Sequence, residues 1–237
     1  MNYHERAILP EYPRTRHLPW NPNATRDDLI ASEDECRIIF ESERVQVTEK
    51  VDGANAGIAK GPIIRNRNHI LRKGYTARTA AKKQFSSVWN WYYEHLHLFD
   101  ELERLSPNTS VFGEWLVACH SVEYDLLPSW FMAYDLYDYE SKQFVDPFEA
   151  RDILIAAGFS VVPELYRGKI KDHEQLEVMI RQSSQFSSTD LREGIYVKVG
   201  DGRWVTHRFK MVRQGFIAGS HFSTRPDVVK NNLAKGR

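Results

Sequence analysis

Cysteine, long apolar runs and net charge are the features that this sequence lacks. Two cysteines, Cys36 and Cys119, are too few for a disulfide framework, and no Cys/His spacing typical of a metal site occurs. No apolar run approaches the roughly eighteen residues that span a bilayer, and residues 1–10 lack a signal-peptide pattern. These absences argue against a disulfide scaffold and a membrane protein, and they predict a cytoplasmic protein without a membrane partner.

The formal net charge is zero, with 32 basic and 32 acidic residues, but the charges are unevenly distributed. Residues 53–93 hold basic side chains and no acid, and residues 202–237 hold basic side chains against the single Asp227. Acids concentrate at 94–103 and 123–152 instead. Such a basic face is either a solvated surface or a nucleic-acid site. The candidate nucleic-acid contacts are Arg65, Arg72, Lys73 and Arg213.

The chain is long enough, and apolar enough at 42%, to bury a sizeable core, and no linker divides it. We therefore expect one domain over residues 1–237. Prolines at positions 10, 13, 19 and 22 predict an irregular segment over residues 1–44. Residues 213–237 read as a basic tail.

Hydrophobic periodicity predicts an α+β fold of antiparallel sheets flanked by helices. A helix is expected over 82–105, and Asp146 and Asp172 are expected to begin two more, the first closed by Gly158. The aromatic side chains of the first helix suit a core better than a stacking platform. The expected strands are 45–49, 55–59, 62–66, 69–71, 110–118, 130–137, 194–199 and 204–212.

One short stretch, Lys50-Val51-Asp52-Gly53, places an amine at the end of a strand, just before a turn. By itself this pattern is also that of an ordinary hairpin. A nucleophilic lysine must lose its proton, which requires desolvation or nearby cations, because the reference pKa is about 10.4. Arg208 and Lys210 are candidate cations, since alternation puts them on one face of a strand. They fit either a triphosphate site or a strand exposed to water.

Acidic residues occur inside or beside apolar strands at three places, around Glu114, Asp135 and Glu193. A carboxylate in an apolar strand is costly unless it is paired or binds something. A buried salt bridge would explain any one of them, and so would a binding site.

Taken in order, these segments resemble motifs I, III, IIIa, IV and V of the covalent nucleotidyltransferases, which comprise polynucleotide ligases and mRNA capping enzymes. The segments are 50–53, 112–115, 132–135, 193–198 and 208–210. Asn55 matches a position that is asparagine in many RNA ligases and arginine in many DNA ligases. The segment Tyr12–Pro19, the pair Asp27-Asp28, and the region around His120 and Leu127-Pro128 also resemble a group of bacterial and phage RNA ligases.

The resemblance implies an ATP-dependent RNA ligase with a nucleotidyltransferase core, related in fold to ATP-grasp ligases. Lys50 would form a lysyl-adenylate from ATP, AMP would pass to a 5′-phosphate, and a 3′-hydroxyl would displace it. Mg²⁺ or Mn²⁺ would be the metal, placed with help from Glu193. Glu114 would contact the ribose, Tyr134 the adenine, and Asn55 phosphate or pyrophosphate. Lys198 and Lys210 would contact the α-phosphate and would be catalytic together with Lys50. The other implied nucleotide contacts are Glu49, Arg67, Glu193 and Arg208.

The sequence also departs from the family pattern. Arg208 stands where many relatives carry lysine, and Tyr134 replaces a common phenylalanine. About twenty-five residues follow the last motif, so no C-terminal OB domain is expected, and RNA would be held by the basic surface or by a partner that heals ends. RNA/DNA hybrids are a further possible substrate. DNA ligase, a GTP-using capping enzyme and a noncatalytic nucleic-acid-binding module remain the alternatives.

Overall fold

The computed structural model describes residues 7–21, 23–24, 28–73, 83–218 and 229–235. Single strands or groups of strands are separated by one or two helices along these ranges. The strands are β1 (Arg16–His17), β2 (Val45–Lys50), β3 (Ala54–Ala59), β4 (Ile63–Asn66), β5 (Thr109–Trp115), β6 (Phe131–Asp138), β7 (Gln143–Phe144), β8 (Glu164–Arg167), β9 (Gly194–Gly200) and β10 (Val205–Val212). The helices are α1 (Glu33–Glu41), α2 (Val88–Glu94), α3 (Leu96–Leu105), α4 (Pro147–Ala156) and α5 (His173–Ile180).

The strands form two five-stranded sheets. The first has the order β1-β10-β9-β2-β8 and the second the order β4-β3-β5-β6-β7. Neighbouring strands are antiparallel except β1 and β10, which are parallel. The architecture confirms the predicted α+β class with antiparallel sheets and flanking helices.

Each sheet buries one face under helices. In the first sheet, Val47, Val197 and Phe209 pack in a core cluster with residues of α1 and α5. In the second, Ile58 and Val111 pack in a cluster with residues of α2, α3 and α4. Each fully buried side chain of this kind contributes about 1.5–3 kcal/mol of transfer free energy. Because helices cover these outer faces, the opposite faces of the two sheets are left to form a cleft.

The N-terminal region is more regular than predicted. Residues 33–41 form α1, whose start is fixed by a capping box in which Ser32 and Glu35 exchange side-chain and backbone hydrogen bonds. Arg16 and His17 add a strand to the first sheet. The expectation that residues 1–44 are irregular is therefore wrong, because the prolines lie before α1 and leave its capping sequence intact.

The other elements follow the predicted pattern with shifted boundaries. The expected long helix is divided into α2 and α3 at His95, and Lys82 lies outside the described residues. Asp146 and Asp172 cap α4 and α5 as predicted, and Gly158 has a positive φ of 88° after α4. Instead of a strand over 69–71, a single bridge joins Arg65 and Ile70. No helix among the described residues is long and apolar enough to cross a membrane.

Candidate active site

A cavity of about 370 Å³ lies between the inner faces of the two sheets. The first sheet contributes Lys50, Tyr196 and Lys210 to its lining, and the second contributes Asn55, Glu114 and Tyr134. Loop residues complete the walls: Tyr12, Pro13, Thr15, Gly53, Arg67, Asn68, Gln84 and Phe85. The structure therefore brings together residues from all five sequence motifs.

Strand pairing arranges the inner face of the first sheet in rows. Lys198 of β9 is paired with Arg208 of β10 and Gln46 of β2. The next row joins Tyr196 to Lys210 and Thr48, and the row after that joins Gly194 to Lys50. Side chains of one row lie side by side because they share the pleat of the sheet. The position of a row therefore decides whether its side chains reach the cavity.

Lys50 forms an ion pair with Glu193 at the cavity. Its Nζ donates to Glu193 Oε2 at 2.5 Å, and the lysine side chain is 16% exposed. Burial alone would lower the pKa of this ammonium, but the charges of Glu193, Glu114 and Asp52 outweigh burial and raise its pKa above the ordinary value. Carboxylates, and not the candidate cations, therefore dominate the surroundings of the Lys50 ammonium in this structure.

The acids around Lys50 have raised pKa values of their own. Burial, with the neighbouring charges of Glu193 and Asp52, raises the pKa of Glu114 to about 8 against the lowering effect of Lys50. Burial likewise raises the pKa of Glu193 to about 7, although Lys50 opposes this shift. One ammonium thus faces several carboxyl groups, so Glu114 holds a proton more readily than an exposed glutamate does, and its protonated form can donate a hydrogen bond to a ligand hydroxyl or oxygen.

The turn after Lys50 is fixed by a neighbouring loop. Asp52 Oδ2 accepts hydrogen bonds from the backbone N–H groups of Ser121 (2.7 Å) and Val122 (3.1 Å), while Asp52 N–H donates to the Tyr124 hydroxyl at 2.7 Å. At Gly53 a Cβ would lie 2.8 Å from the carbonyl oxygen of Trp115, a distance too short for any side chain. The Asp-Gly pair therefore holds the end of β2 in place and admits the backbone of β5 beside it.

Tyr134 and Asn55 are joined across the second sheet. Asn55 Nδ2 donates to the Tyr134 hydroxyl at 2.5 Å. The Asn55 Oδ1 atom is buried and has no hydrogen-bond partner among the described residues. The extra hydroxyl of Tyr134, relative to phenylalanine, therefore orients Asn55 and leaves an unsatisfied acceptor at the cavity wall.

A narrow extension of the cavity is lined by two tyrosines, Tyr134 and Tyr196. Tyr12, Glu49, Glu114 and Lys198 also line it, and its open volume is only about 10 Å³. Aromatic side chains suit a planar base, which would have to widen this slot to enter. Tyr196 was not among the predicted site residues. The alternation of β9 was the available signal, because Tyr196 shares the face of Lys198.

Lys198 is buried under the Tyr134 ring, and Arg208 is largely buried beside Phe144; neither lines the main cavity. Lys198 Nζ donates to Asp135 Oδ1 at 2.6 Å and to the Tyr134 carbonyl oxygen at 2.8 Å, and its side chain is 2% exposed. Arg208 lies over the Phe144 ring at 4.2 Å, with Nη2 3.6 Å from Asp135 Oδ2. Contacts with the α-phosphate of a bound nucleotide are therefore expected from Lys210, which reaches the cavity, rather than from these two buried cations.

Glu49 turns away from the main cavity, as the strand alternation requires. Its carboxylate accepts hydrogen bonds from Ser184 Oγ at 2.5 Å and from the Gln185 N–H at 3.1 Å. Burial raises its pKa despite these bonds. Glu49 is 1% exposed and holds the 184–185 loop, but it also lines the narrow extension beside Tyr134 and Tyr196, so its contact with a nucleotide stays a prediction.

Two further cations have surroundings that suit an anionic ligand. Lys210 lines the cavity, and burial together with the charge of Lys50 lowers its pKa. Arg67 lines the same cavity and is exposed to solvent. A phosphate group placed between Lys50 and these two cations would interact favourably with all three positive charges.

The candidate nucleic-acid contacts have different environments. Arg65 is 3% exposed, and its Nη1 donates to the Leu9 carbonyl oxygen at 2.9 Å, so it holds the N-terminal segment instead of presenting charge to a nucleic acid. Arg72 and Lys73 are exposed, and Lys73 lies over the Tyr93 ring at 4.6 Å. Arg213 is half-buried, and its Nε donates to the Arg192 carbonyl oxygen. The basic residues Arg78, Lys82, Arg225 and Arg237, with Asp27 and Asp227, lie outside the described residues.

Among the described residues, no group of three or more His, Cys, Asp or Glu side chains could hold a metal ion. The candidate ligand Glu193 is instead engaged by Lys50. A divalent ion such as Mg²⁺ commonly binds through one or two carboxylates, waters and substrate phosphates. Glu193 fits that kind of site, with phosphate oxygens supplying the remaining ligands.

Two of three comparisons relate the chain to known proteins. A protein-family model described as RNA ligase matches residues 43–212. An RNA ligase of Naegleria gruberi in its apo form has a similar fold, with a TM-score of 0.59 and 18% identity over 86% of this chain and 56% of that chain. The search of curated proteins found no match.

The same ligase was also solved with nucleotides. Its structure with ATP and Mn has a TM-score of 0.57 and 21% identity, covering 74% of this chain and 52% of that chain. Its structure with AMP and Mn has a TM-score of 0.58 and 18% identity, covering 86% and 56%. The chain thus spans little more than half the length of these structures, and the likeness establishes a shared ligase core fold.

Proposed function

The chain belongs to the RNA ligase family, and on that premise we propose that it is an ATP-dependent RNA ligase that joins a 3′-hydroxyl to a 5′-phosphate through an adenylate on Lys50. The observation that carries this proposal is the position of Lys50 in the cavity beside two tyrosines and two further cations. This set combines a nucleophile, a slot for a base and charge for phosphates. The Naegleria gruberi ligase was solved with ATP and Mn, which supports the choice of nucleotide and metal.

The nucleotide would bind with its base in the slot lined by Tyr134 and Tyr196. The ribose would lie against Glu114. Asn55, which is paired with Glu114 on the adjacent strand and faces the same cavity, would orient phosphate or pyrophosphate. The triphosphate would extend towards Lys210 and Arg67. This orientation brings the α-phosphorus to Lys50 at the end of β2.

The first step requires a neutral amine. Lys50 is protonated in the present arrangement because Glu193 stabilises its ammonium form, so Glu193 is the group in contact that can take the proton. The Nζ lone pair then attacks the α-phosphorus, an N–P bond forms, and the bond to the bridging oxygen breaks to release pyrophosphate. The nitrogen of the new N–P bond gives up its extra proton to water. Lys210 would stabilise the charge that develops on the α-phosphate oxygens.

A divalent ion bound by phosphate oxygens, with Glu193 as a further ligand once that carboxylate has passed the Lys50 proton to water, would neutralise phosphate charge. In the later steps, AMP passes from Lys50 to the 5′-phosphate of RNA, and the 3′-hydroxyl displaces AMP to form the phosphodiester. The exposed cations Arg67, Arg72 and Lys73 lie on the second sheet side of the cleft and are candidates for the RNA backbone. Sealing of RNA/DNA hybrids, a partner that heals ends and a cytoplasmic site of action belong to the same proposal.

The test is covalent labelling with ATP carrying a radiolabelled α-phosphate, in the presence of Mg²⁺ or Mn²⁺. The wild-type protein should carry label after denaturing electrophoresis, and Lys50→Ala should carry none. Lys60→Ala is the matched control, because Lys60 is exposed, directly follows the end of β3 and forms an ion pair with Asp100. Equal labelling of the Lys50→Ala protein would overturn the proposal.

Substrate choice is tested next with nicked duplexes and the other nucleotides. Sealing should be more efficient with an RNA 3′-hydroxyl strand than with DNA, and ATP should label better than GTP. Preference for an all-DNA nick would indicate a DNA ligase, and preference for GTP would indicate capping chemistry. Nucleic-acid binding without labelling by any nucleotide would indicate a noncatalytic module.

A further inference from the structure

The N-terminal residues 8–18, which we call the strap, run from one sheet to the other along the edge of the cavity. At one end, Ser110 Oγ of β5 donates to the Ile8 carbonyl oxygen at 2.7 Å. At the other end, β1 pairs with β10, and the Leu18 N–H donates to the Lys210 carbonyl oxygen at 3.1 Å. The strap is therefore tied to both sheets that form the nucleotide cavity.

The middle of the strap forms part of the cavity wall. Tyr12, Pro13 and Thr15 line the cavity alongside Lys50 and Tyr134. Leu9, just before them, is fully buried against the second sheet, where it approaches Gly57. Residues 12–15 therefore have little freedom to move away from the cavity, because Leu9 anchors the chain before them and β1 pairs with β10 after them.

Tyr12 connects the strap to a buried carboxylate. Its hydroxyl donates to Asp135 Oδ2 at 2.6 Å, and Asp135 is fully buried. The Tyr12 ring contacts Tyr134 edge-on, with centroids 5.4 Å apart and planes at 69°. Tyr12 also packs against Phe112 and Phe144, each at 5.5 Å.

Asp135 in turn holds the cation beneath the Tyr134 ring. Its Oδ1 accepts from Lys198 Nζ at 2.6 Å, and that nitrogen lies 5.1 Å from the centroid of the Tyr134 ring. Tyr134 is thus supported by Tyr12 at its edge and by Lys198 at its face. Asp135 Oδ2 accepts a hydrogen bond from the Tyr12 hydroxyl at 2.6 Å, whereas Arg208 Nη2 lies 3.6 Å from the same oxygen.

We propose that Tyr12 is a positioning residue for the adenine pocket: its hydroxyl fixes Asp135 and Lys198, and its ring fixes Tyr134 in the orientation that accepts the base. This inference rests on the proposed function, because it assigns the base to the slot beside Tyr134. It gives the Tyr12–Pro19 segment, to which the sequence alone assigned no chemistry, a place in nucleotide binding. The contribution acts through Tyr134 and Lys198, so it should change affinity for the nucleotide more than the rate of phosphoryl transfer.

The experiment compares Tyr12→Phe, which keeps the ring and removes the hydroxyl, with Tyr139→Phe as the matched control. Tyr139 also donates its hydroxyl to a side-chain oxygen, Asn108 Oδ1 at 3.1 Å, but it does not line the cavity. Because a hydrogen bond to a buried charge is lost, the half-saturating ATP concentration for adenylylation should rise about tenfold in Tyr12→Phe. The maximal single-turnover rate should change by less than about threefold, and Tyr139→Phe should match the wild type.

Calorimetric titration with ATP, and the melting temperature without ATP, complete the test. Tyr12→Phe should weaken ATP binding by the same factor. It should melt below Tyr139→Phe, because the buried Asp135 carboxylate loses a donor, but it should remain folded at the temperature of the titration. An ATP affinity within twofold of the wild type would overturn the inference. If the wild type binds ATP but forms no covalent adduct, the proposed function fails, and the binding comparison still decides the role of Tyr12.

Discussion

Lys50 Nζ and Glu193 Oε2 lie 2.5 Å apart, so the nucleophile proposed for the first step is paired with a carboxylate that stabilises its unreactive form. Tyr196 lies beside the same ammonium, with its ring centroid 5.7 Å from Nζ. The arrangement holds Lys50 in place at the cavity but keeps its proton on. Nucleotide binding must therefore change the charges around this pair before the amine can react.

The pH dependence of adenylylation should reveal this pairing. In Glu193→Gln the anion beside the ammonium is lost, so the pKa of Lys50 should fall from its raised value. We expect the alkaline rise of the single-turnover rate to move to lower pH by at least about one unit, with a lower maximal rate because the proton acceptor is gone. Glu101→Gln, at an exposed helix position, is the control. An unshifted profile in Glu193→Gln would contradict the role assigned to this ion pair.

Tyr134 and Asn55 should be energetically coupled through their hydrogen bond. Tyr134→Phe and Asn55→Ala each remove it, so the loss in kcat/KM of the double variant should be smaller than the sum by about 0.5–1.5 kcal/mol. The measurement is a double-mutant cycle on adenylylation with ATP. Asn68, which lines the same cavity without a hydrogen bond to Tyr134, supplies a control pair, and Tyr134→Phe with Asn68→Ala should be additive.

Replacement of Lys198 by methionine should mainly lower stability, whereas replacement of Lys210 should mainly lower labelling by ATP. Lys198→Met leaves Asp135 buried without its main cation and should lower the free energy of unfolding by about 3–5 kcal/mol. Lys210→Met removes a cation that lines the cavity, so it should abolish most labelling while changing stability by less than about 1 kcal/mol. Denaturant unfolding and ATP labelling on both variants provide the comparison. Equal unfolding free energies for the two variants would show that the Lys198–Asp135 ion pair does not stabilise the packing of the two sheets.

Asp146 should make the stability of the protein sensitive to acid. Burial raises the pKa of this carboxyl, but hydrogen bonds from Arg44 and from the backbone N–H groups of Gly202 and Phe148 outweigh burial and lower it below 3.8. A group with a depressed pKa stabilises the fold above its unfolded pKa and loses that contribution as the pH falls through its folded value.

The corresponding variant is Asp146→Asn, which removes the charge and keeps most of the shape. It should cost about 1–3 kcal/mol of unfolding free energy at pH 7. The difference from wild type should shrink below about pH 4. Urea unfolding at pH 7 and pH 3 measures this change. A difference that is the same at both pH values would mean that the ionised carboxylate is not what stabilises the start of α4.

Several features followed from local sequence because local physical chemistry determines them. The alternation in β10 placed Phe209 in the core and Lys210 on the opposite face, and the structure has both there. Asp146 and Asp172 cap helices because their short side chains reach the free N–H groups of the first turn. The turn at Gly53 follows from the same kind of rule.

The tertiary structure decided which residues of one face belong to the cavity. Lys198, Arg208 and Lys210 have the same parity on paired strands, so no periodicity separates them. Asp135 of the opposite sheet covers the row of Lys198 and Arg208 and leaves the row of Lys210 open. The strap is a similar case, because Tyr12 meets Asp135 across 123 residues of chain. The sequence by itself determined the motifs and the strand face on which each side chain lies. The burial of each side chain depended on the sheet packed opposite. That packing joins residues distant in sequence, which no local pattern encodes.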